Sequence, residues 1–524
     1  MLVASVVAFT FATFDARMAF GQKKPKLPEL KSLEQKLQAL EFFRNSLPTK
    51  RVGSKLRFTP DDLDRALLKN IEAPTHKFAK PISDELFLKR AFLDVAGKIP
   101  AAHEVEAFGS NPDRRKRAKL VDYLLNAKEY ARKWARYWTD VIFYNSNANK
   151  NRINRDALED WLAEAFEKDV PWDRITAALV SASPKYNKNK KKEKNDWGQK
   201  EGYNNFVLAC ENQPGEIAAQ TARIFMGISI QCAECHDHPF DQWEREQFHE
   251  MAAFFARGSY SMPDQDDPKK KIKMKPRFLL GEEPPSVFQN NADARRVAVA
   301  AYLIYNPNNY WFARAYVNRI WNELVGDGFY SVDSLGPDAE VTHKLLVNRM
   351  GAMFRYKAFD PKWVFRLIMN SQVYQREMRT IESDSELFTA VRPTRLRPDQ
   401  VVASVERIAD IDSGLTKQLN STFDADPSIP QRDLEGSIQQ ALLMMNHPKL
   451  NEQLQNSELK KELLQIESNQ QLIEQLYLGI LARRSTDNET ARGMAYLRKT
   501  TNRSEAVDDL MWVLVNSTEF LTKR

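Results

Sequence analysis

Apolar side chains recur along most of the chain with the three- and four-residue spacing of helices, whereas the strict alternation typical of strands is almost absent. Ser83 illustrates the pattern, because it is a suitable N-cap and the apolar residues after it share one helical face. The same spacing predicts further helices over residues 114–125, 130–144, 214–231, 293–304, 310–324, 362–371, 398–408, 435–445, 469–483 and 504–516. The sequence therefore predicts an all-α fold, mainly helical, with long loops and one or two short hairpins.

The first 22 residues resemble a secretory signal peptide. Residues 2–14 are uncharged and largely apolar, which suits the hydrophobic segment of a signal peptide and is too short to span a bilayer. Small residues precede Gln22, where a signal peptidase cleaves. A buried N-terminal helix is the alternative, since no Lys or Arg precedes the apolar segment. We expect residues 1–22 to be a signal peptide and the mature protein to be periplasmic or secreted.

Breaks in the helical pattern divide the rest of the chain. Pro276, Pro284 and Pro285 lie in a loop-like stretch, which we interpret as the boundary between two helical domains. The remaining segments are then an N-terminal arm (23–81), a first helical domain (82–262), a linker (263–290) and a second helical domain (291–524).

The composition is that of an ordinary globular protein. The 524 residues can bury a large core without disulfides, and 43% hydrophobic with 28% charged residues excludes wholesale disorder. The 77 basic and 70 acidic residues give a net charge of +7, which is small for this length and does not indicate nucleic-acid binding. No later stretch reaches the roughly 18 apolar residues of a membrane helix, so we expect no membrane span in the mature chain.

Two lysine runs stand out, at residues 185–194 and 269–275. Because like charges repel and few apolar residues anchor these runs, we expect solvated surface loops. A contact with an anionic surface or partner is the alternative. The first run has one aromatic residue near each end, Tyr186 and Trp197, which is not a platform for stacking bases, so no nucleic-acid partner is predicted.

The residues that carry chemistry lie near the middle of the chain. Cys232, Cys235 and His236 form a C-x-x-C-H motif, the signature of covalent haem attachment. In such sites two thiols bond to the two vinyl groups of the porphyrin, and the histidine is the axial ligand of the iron. We expect the helix over 214–231 to continue into the motif, so that the three side chains share one helical face.

Two other arrangements of these residues remain open. Cys232 and Cys235 could form a reversible disulfide or a structural thiol pair. Alternatively, they bind zinc together with one or two of His236, His238 and Cys210. Since Cys210 has no partner at a motif spacing, a buried free thiol is its default interpretation.

The second axial ligand of a haem cannot be identified from the spacing. The local candidates are Met226, His238, His249 and Met251, and the distant ones are His103, His343, His447, Met444 and Met445. Met226 and Met251 lie in apolar helical stretches, so core packing is the expectation for both.

A histidine that binds iron usually donates its other ring N–H to a carboxylate, a carbonyl or water. For His236 the nearest carboxylates in sequence are Asp237 and Asp241. We expect Asp241 to cap the next helix together with Glu244, which leaves Asp237 as the predicted acceptor.

Several segments are similar to known families. In the first half, residues 87–100, 134–138 and the run 225–241 through the motif resemble the planctomycete cytochrome-like domain of unknown function. The second half of the chain resembles the planctomycete-specific domain of unknown function that accompanies the first. The similar residues are 306–307, 312–315, 317–321, 366–371, 395–400 and 512–520.

The resemblance implies an exported protein whose first domain, residues 82–262, is cytochrome-like and whose biochemical role is unassigned. Relatives often carry a further cytochrome c domain with its own C-x-x-C-H, whereas this chain has one such motif. His249 occupies a position at which relatives tend to carry an aromatic residue, so a ligand role there is not implied by the family.

Three functions remain in competition. The first is electron transfer to or from a redox partner protein by covalent haem c on Cys232 and Cys235, with His236 as the metal ligand. The second is a secreted haem- or thiol-dependent enzyme of carbohydrate metabolism, with the aromatic-rich helices lining a cleft. The third is a structural zinc or thiol domain with no redox role. No nucleophile elbow, H-E-x-x-H or P-loop motif is present, so the sequence favours electron transfer and identifies no catalytic residue.

Overall fold

The computed structural model describes residues 30, 32–46, 57–69, 79–144, 146, 148, 150–184, 198–239, 241–267, 269–333, 340–379 and 388–523. The predicted signal peptide and the lysine run at 185–194 lie outside these residues. The described part is predominantly helical with two short two-stranded sheets, so the predicted all-α class is confirmed. None of its helices is long and apolar enough to cross a membrane.

The helices before the first sheet are α1 (Leu33–Ser46), α2 (Pro60–Leu68), α3 (Asp84–Ala91), α4 (Ala102–Ser110), α5 (Lys116–Leu125), α6 (Lys128–Phe143), α7 (Arg155–Glu167), α8 (Trp172–Val180), α9 (Asn205–Ala209), α10 (Pro214–Met226) and α11 (Arg245–Ala253). A π-helical segment (Phe92–Ala96) continues α3, and 3-10 turns occur at Gly202–Asn204 and Gln231–Glu234. Strands β1 (Tyr260–Pro263) and β2 (Lys271–Met274) then pair in antiparallel fashion. The lysine run at 269–275, predicted to be a loop, is in part an exposed strand because its backbone pairs with β1.

After this hairpin the helices are α12 (Ser286–Gln289), α13 (Ala292–Tyr305), α14 (Trp311–Val325), α15 (Lys344–Tyr356), α16 (Pro361–Met369), α17 (Pro398–Ile408), α18 (Ser413–Thr422), α19 (Ile438–Asn446), α20 (Pro448–Gln455), α21 (Glu458–Gln465), α22 (Asn469–Leu481), α23 (Asp487–Lys499) and α24 (Arg503–Val515). A 3-10 turn lies at Gln431–Asp433. Strand β3 (Thr394–Arg395) pairs with β4 (Thr522–Lys523), which fastens the C-terminal end of the described chain beside the start of α17.

Local sequence signals set several of the helix ends. The Ser83 hydroxyl accepts a hydrogen bond from the Leu86 N–H at 3.2 Å, so the predicted N-cap of α3 is confirmed. Helix α14 ends at Gly326, whose φ is 97°, and a Cβ at that position would lie 3.0 Å from Arg392 Cβ. Glycine is required there both for the left-handed turn and for the close approach of the neighbouring segment.

The first hydrophobic core contains residues from α1 through α16, together with Leu478 of α22 and Ala482 directly after it. Trp138 of α6 and Trp172 of α8 have ring centroids 4.3 Å apart. Both contact Tyr316 of α14, at 5.9 and 5.0 Å. Helices on both sides of the predicted linker 263–290, and the two helices of the predicted N-terminal arm 23–81, therefore share one core.

The second hydrophobic core is built from α17 to α24 together with Leu93 and Ile99. Leu93 belongs to the π-helical segment that follows α3. Its backbone carbonyl accepts a hydrogen bond from Gln400 Nε2 at 2.9 Å, in α17. The π-helical segment thus connects the first part of the chain to the second core.

Charged side chains are buried where α14 meets α6 and α17. Glu323 of α14 accepts two hydrogen bonds from the guanidinium of Arg397, at 2.7 and 2.9 Å, and one from the Tyr137 hydroxyl at 3.3 Å. One turn earlier on α14, Arg319 pairs with Asp333. All five residues are buried, and we refer to Tyr137, Arg319, Glu323, Asp333 and Arg397 as the buried charge network.

Opposing effects act on the two carboxyl groups of this network. Burial raises the pKa of Glu323, but Arg397, Lys133 and Lys523 together more than offset burial, so the pKa is lowered. The pKa of Asp333 is lowered in the same way, against burial, by Arg319 and by Arg223, whose Nη1 lies 2.7 Å from Asp333 Oδ2. Both carboxylates therefore stay ionised inside the protein.

A second buried ion pair fastens the C-terminal strand. Lys523 Nζ lies 3.0 Å from Asp94 Oδ1 and also donates to the Glu323 carbonyl at 2.7 Å. The other oxygen of Asp94 accepts a hydrogen bond from the Tyr374 hydroxyl at 2.7 Å. Residues far apart in sequence therefore meet next to the buried charge network.

Candidate functional site

The approach to the motif differs from the prediction, because α10 does not continue into it. The helix ends at Met226, and Gly227 follows with a φ of 70°. The Gly227 N–H donates to the Arg223 carbonyl at 3.1 Å, and the Ile228 N–H reaches back to the Ala222 carbonyl at 3.3 Å. This left-handed glycine cap terminates the helix, so the predicted helix over 214–231 is too long at its C-terminal end.

The motif itself lies on a 3-10 turn at the protein surface. The turn spans Gln231–Glu234, and Ala233 anchors it with a fully buried methyl group. Cys232, Cys235 and His236 are all exposed, and both thiols are free. A 3-10 turn brings residues three apart onto one side. The expected helical face is thus replaced by a tighter turn with its reactive groups towards solvent.

The buried side chain of His249 supports this turn through a hydrogen bond to its backbone. His249 Nε2 lies 3.0 Å from the Glu234 carbonyl oxygen, and His249 Nδ1 lies 3.0 Å from the Tyr260 hydroxyl. Because a carbonyl only accepts, Nε2 carries the proton and Nδ1 accepts from Tyr260. Burial lowers the pKa of His249, which favours this neutral form. With both ring nitrogens engaged, His249 acts as a support rather than as a ligand.

His236 is held in one tautomer by its neighbour. Its Nδ1 lies 2.7 Å from the Asp237 carbonyl oxygen, and because a carbonyl only accepts, Nδ1 is the donor. Asp237 is thus the predicted acceptor residue, but through its backbone carbonyl. Its carboxylate instead accepts from the Arg245 N–H at 2.9 Å, at the start of α11. A histidine that binds a metal through Nε2 usually donates its Nδ1–H in this way, so the contact leaves Nε2 for a metal.

The predicted cap of the next helix is wrong. Helix α11 begins at Arg245, with Glu244 as its N-cap and Gln247 as the partner in a capping box. The Glu244 N–H donates to Gln247 Oε1 at 2.9 Å. Asp241 lies too early in the chain for this role, and its carboxylate accepts from the Gln242 N–H at 2.5 Å.

The remaining ligand candidates do not join the motif. Met226 and Met251 are fully buried in the first core, so the expectation of core packing is confirmed for both. Cys210 is a buried free thiol, as predicted, and burial raises its pKa well above the ordinary range. The His238 backbone N–H donates to the Trp243 carbonyl at 2.8 Å. Within the described residues, no three His, Cys, Asp or Glu side chains form a group that could hold a metal ion.

A cavity of about 650 Å³ lies beside the motif turn. Gln231 and Glu234 line it from the turn, and Glu211, Glu216 and Gln220 line it from the other side. Burial and the nearby Glu216 raise the pKa of Glu234. The cavity is polar, and Cys232, Cys235 and His236 do not line it. The thiols and the imidazole that haem attachment requires therefore lie at the motif turn and not in this cavity.

Two tryptophans of the aromatic-rich helix α6 lie in the core and not at a cleft. Trp134 and Trp138 are each 1% exposed. Trp134 packs on Phe365 at 4.7 Å between ring centroids, inside the first core. These two side chains are therefore not available to line a carbohydrate cleft.

The buried role of His249 was missed by sequence reasoning, which treated this residue only as a possible ligand. The apolar residues around it on α11, Phe248, Met251 and Ala252, are the signal that its position is buried. Asn318 of α14 is a further buried polar residue: its side-chain amide donates to the Tyr330 carbonyl at 2.9 Å and accepts from the Phe329 N–H at 2.7 Å, so it fastens the segment that follows α14.

Comparison with family models identifies two domains in the chain. Residues 62–260 match PSCyt2, a protein of unknown function (DUF1549), and residues 295–414 match PSD1, a protein of unknown function (DUF1553). Comparison with the curated proteins and with the solved structures gives no match. The two matched ranges lie on either side of the predicted linker 263–290. The chain therefore contains a region that matches PSCyt2 followed by a region that matches PSD1, both domains of unknown function.

Proposed function

We propose that the chain is an exported c-type haem-binding protein that passes electrons to or from a partner protein. Cys232 and Cys235 are the attachment residues and His236 is the axial ligand in this proposal. The observation that carries it is the state of the motif: two exposed free thiols on one turn, followed by an imidazole whose Nδ1–H is already committed to the Asp237 carbonyl. A haem bound there supplies the one-electron couple of its iron.

The protein groups around the motif have separate tasks in this proposal. Each thiol adds across one vinyl double bond, with sulfur bonding to one carbon and the thiol hydrogen going to the other. Ala233 anchors the turn in the core, and His249 fixes the Glu234 carbonyl between the two cysteines. The turn thus has a rigid base and an accessible outer face, which attachment and contact with a partner both require.

Exposed lysines favour an acidic face on the partner. Lys271 and Lys273 are exposed on β2. The hairpin of β1 and β2 and the motif turn both pack against α11, so these cations share a support with the proposed attachment site. Electron exchange with an acidic partner should then slow as ionic strength rises, because salt screens the attraction.

The test is to export the full chain from a host that attaches haem c and to record its visible spectrum. We expect a Soret band and a haem stain that survives denaturing electrophoresis. Cys232→Ala with Cys235→Ala should abolish both signals, whereas the matched control Cys210→Ser should retain them because Cys210 is buried in the core. A colourless wild-type protein with stoichiometric zinc would contradict the proposal and favour the structural domain.

A reversible dithiol is the second candidate, because both motif thiols are exposed and free. It predicts a colourless protein in which Cys232 and Cys235 form a disulfide on oxidation. Counting reactive thiols before and after mild oxidation separates the two candidates, since thioether bonds remove both thiols from the count irreversibly.

A further inference from the structure

A cavity of about 740 Å³ lies on elements that the proposed electron transfer does not use. It is bounded by the end of α1, the start of α8, the end of α13, and helices α14 and α15. None of the motif residues lines it. Its walls are largely apolar, yet they carry several cationic side chains and a single carboxylate among the described residues that line it.

Arg314 of α14 is a buried cationic residue on the wall of this cavity. It is 3% exposed, and its Nε and Nη2 atoms are buried without a hydrogen-bond partner among the described residues. Its guanidinium lies over the rings of Tyr310 and Tyr330, 5.0 and 5.5 Å from their centroids. A buried cation with unmet donors is costly, and an anionic ligand would remove that cost.

The packing of α15 leaves room for this side chain. Gly351 lies opposite Arg314, and a Cβ on Gly351 would come within 3.2 Å of Arg314 Cγ. Glycine therefore allows the guanidinium to remain beside the cavity instead of being displaced.

The surrounding charges favour an anion. Arg355 donates to the carbonyls of Ile304 and Asn309, at 3.1 and 2.8 Å, and burial lowers its pKa to about 10, so it remains cationic at neutral pH. Lys344 lies exposed at the rim. The one carboxylate, Asp173, accepts a hydrogen bond from the Tyr305 hydroxyl at 2.8 Å, and burial raises its pKa.

An aromatic ring is available for the rest of a ligand. Tyr310 is 49% exposed and is stacked on Trp311, with 4.4 Å between ring centroids. Phe359 and Ala313 continue the apolar wall. The cavity thus combines a cationic centre with a flat apolar surface.

We propose that this cavity binds an organic oxyanion, a carboxylate or a sulfate or phosphate ester with an apolar or ring-shaped body. The anionic head pairs with Arg314 and the body packs on Tyr310. This site goes beyond the proposed electron transfer and does not depend on it.

The test is calorimetric titration of the full chain with benzoate, phenyl sulfate and phenyl phosphate, with neutral benzamide as the matched probe. At least one anion should bind and benzamide should not. Arg314→Gln should weaken the binding at least about tenfold, because one hydrogen bond to a charged group contributes roughly 1.5–3 kcal/mol. Inorganic sulfate and phosphate, titrated alone, show how much of the affinity comes from the anionic head.

Two further variants keep the test decisive if Arg314→Gln does not fold. Ala352→Asp adds a negative charge at an exposed helical position on the wall and should also weaken anion binding. Arg132→Gln removes an exposed arginine outside the cavity, paired with Asp160, and should leave the affinity unchanged. Absence of anion binding, equal affinity for benzamide, or unchanged affinity in Ala352→Asp would overturn the proposal.

Discussion

The motif turn and the buried charge network are opposite ways of using polar side chains. Cys232, Cys235 and His236 are exposed, and the two thiols are free. In contrast, Glu323 and Arg397 are buried and satisfy each other through two hydrogen bonds. The motif side chains lie outside the packing, whereas the groups that hold the helices together are enclosed by it.

The comparison also shows why the two regions tolerate change differently. Removing an exposed thiol leaves no buried group without a partner, so the free energy of unfolding should hardly change. Removing one member of a buried ion pair leaves an uncompensated charge in the interior, which costs several kcal/mol. The sharpest contrast in stability should therefore lie between these two regions.

Glu323→Ala should have the largest effect. It leaves Arg397 buried without its carboxylate partner, and we expect the free energy of unfolding to fall by about 3–5 kcal/mol. Urea unfolding followed by circular dichroism measures the loss. The exposed pair of Arg132 and Asp160 gives the control, since Asp160→Asn should cost less than about 1 kcal/mol. Equal losses in the two variants would contradict the contrast.

Acid should destabilise the protein through the same residues. Because the pKa values of Glu323 and Asp333 are lowered in the folded state, their stabilisation is complete above about pH 4.5 and is lost as the pH falls below that. Urea midpoints measured between pH 7 and pH 3 should decline on the acid side. The decline should be shallower in Glu323→Gln, and an unchanged slope would show that Glu323 does not contribute.

His249→Phe should have an intermediate effect, although phenylalanine fills the volume. The variant leaves the Glu234 carbonyl without the donor at 3.0 Å, so we expect a loss of about 1–3 kcal/mol. His103→Ala, at an exposed position of α4, is the control and should be neutral. A neutral His249→Phe would show that the motif turn does not depend on this support.

The smallest effect is expected at the motif. Cys232→Ala with Cys235→Ala should leave the far-UV helical signal and the urea midpoint nearly unchanged, since both side chains are exposed. Cys210→Ser, which buries a hydroxyl at a 3% exposed position, should cost about 1–3 kcal/mol. Global unfolding of the double variant would instead indicate a structural site of the zinc-nucleated kind.

Helices with several apolar residues per face could be predicted from the sequence, and α17 was predicted to the residue, at Pro398–Ile408. The short helices α18, α20 and α21 were not predicted, because each has few apolar residues and contributes only to the second core. The pair of Asp94 and Lys523 could not be predicted either, since these residues are 429 positions apart and carry no local signal.

At the candidate site, the sequence identified the chemical groups but did not predict their conformation. The apolar stripe of α10 favoured a helix running into Cys232, but the single glycine at 227 ends it. The Asp237 carboxylate was predicted to accept from His236, but the acceptor is the Asp237 backbone carbonyl, and the carboxylate accepts from the Arg245 N–H at the start of α11. At Gly227 and at Asp237, the backbone determines the conformation, whereas the prediction rested on the pattern of side chains.

The most direct test of the central claim compares the visible spectra and the reduction potentials of His236→Ala and His238→Ala, each exported with haem attachment. Both variants keep Cys232 and Cys235, so both should retain covalent haem. We predict that His236→Ala changes the spin state of the iron and shifts its potential, whereas His238→Ala matches the wild-type protein. A perturbed His238→Ala beside an unperturbed His236→Ala would contradict the assignment of the axial ligand, and the absence of haem from both would contradict the proposed function itself.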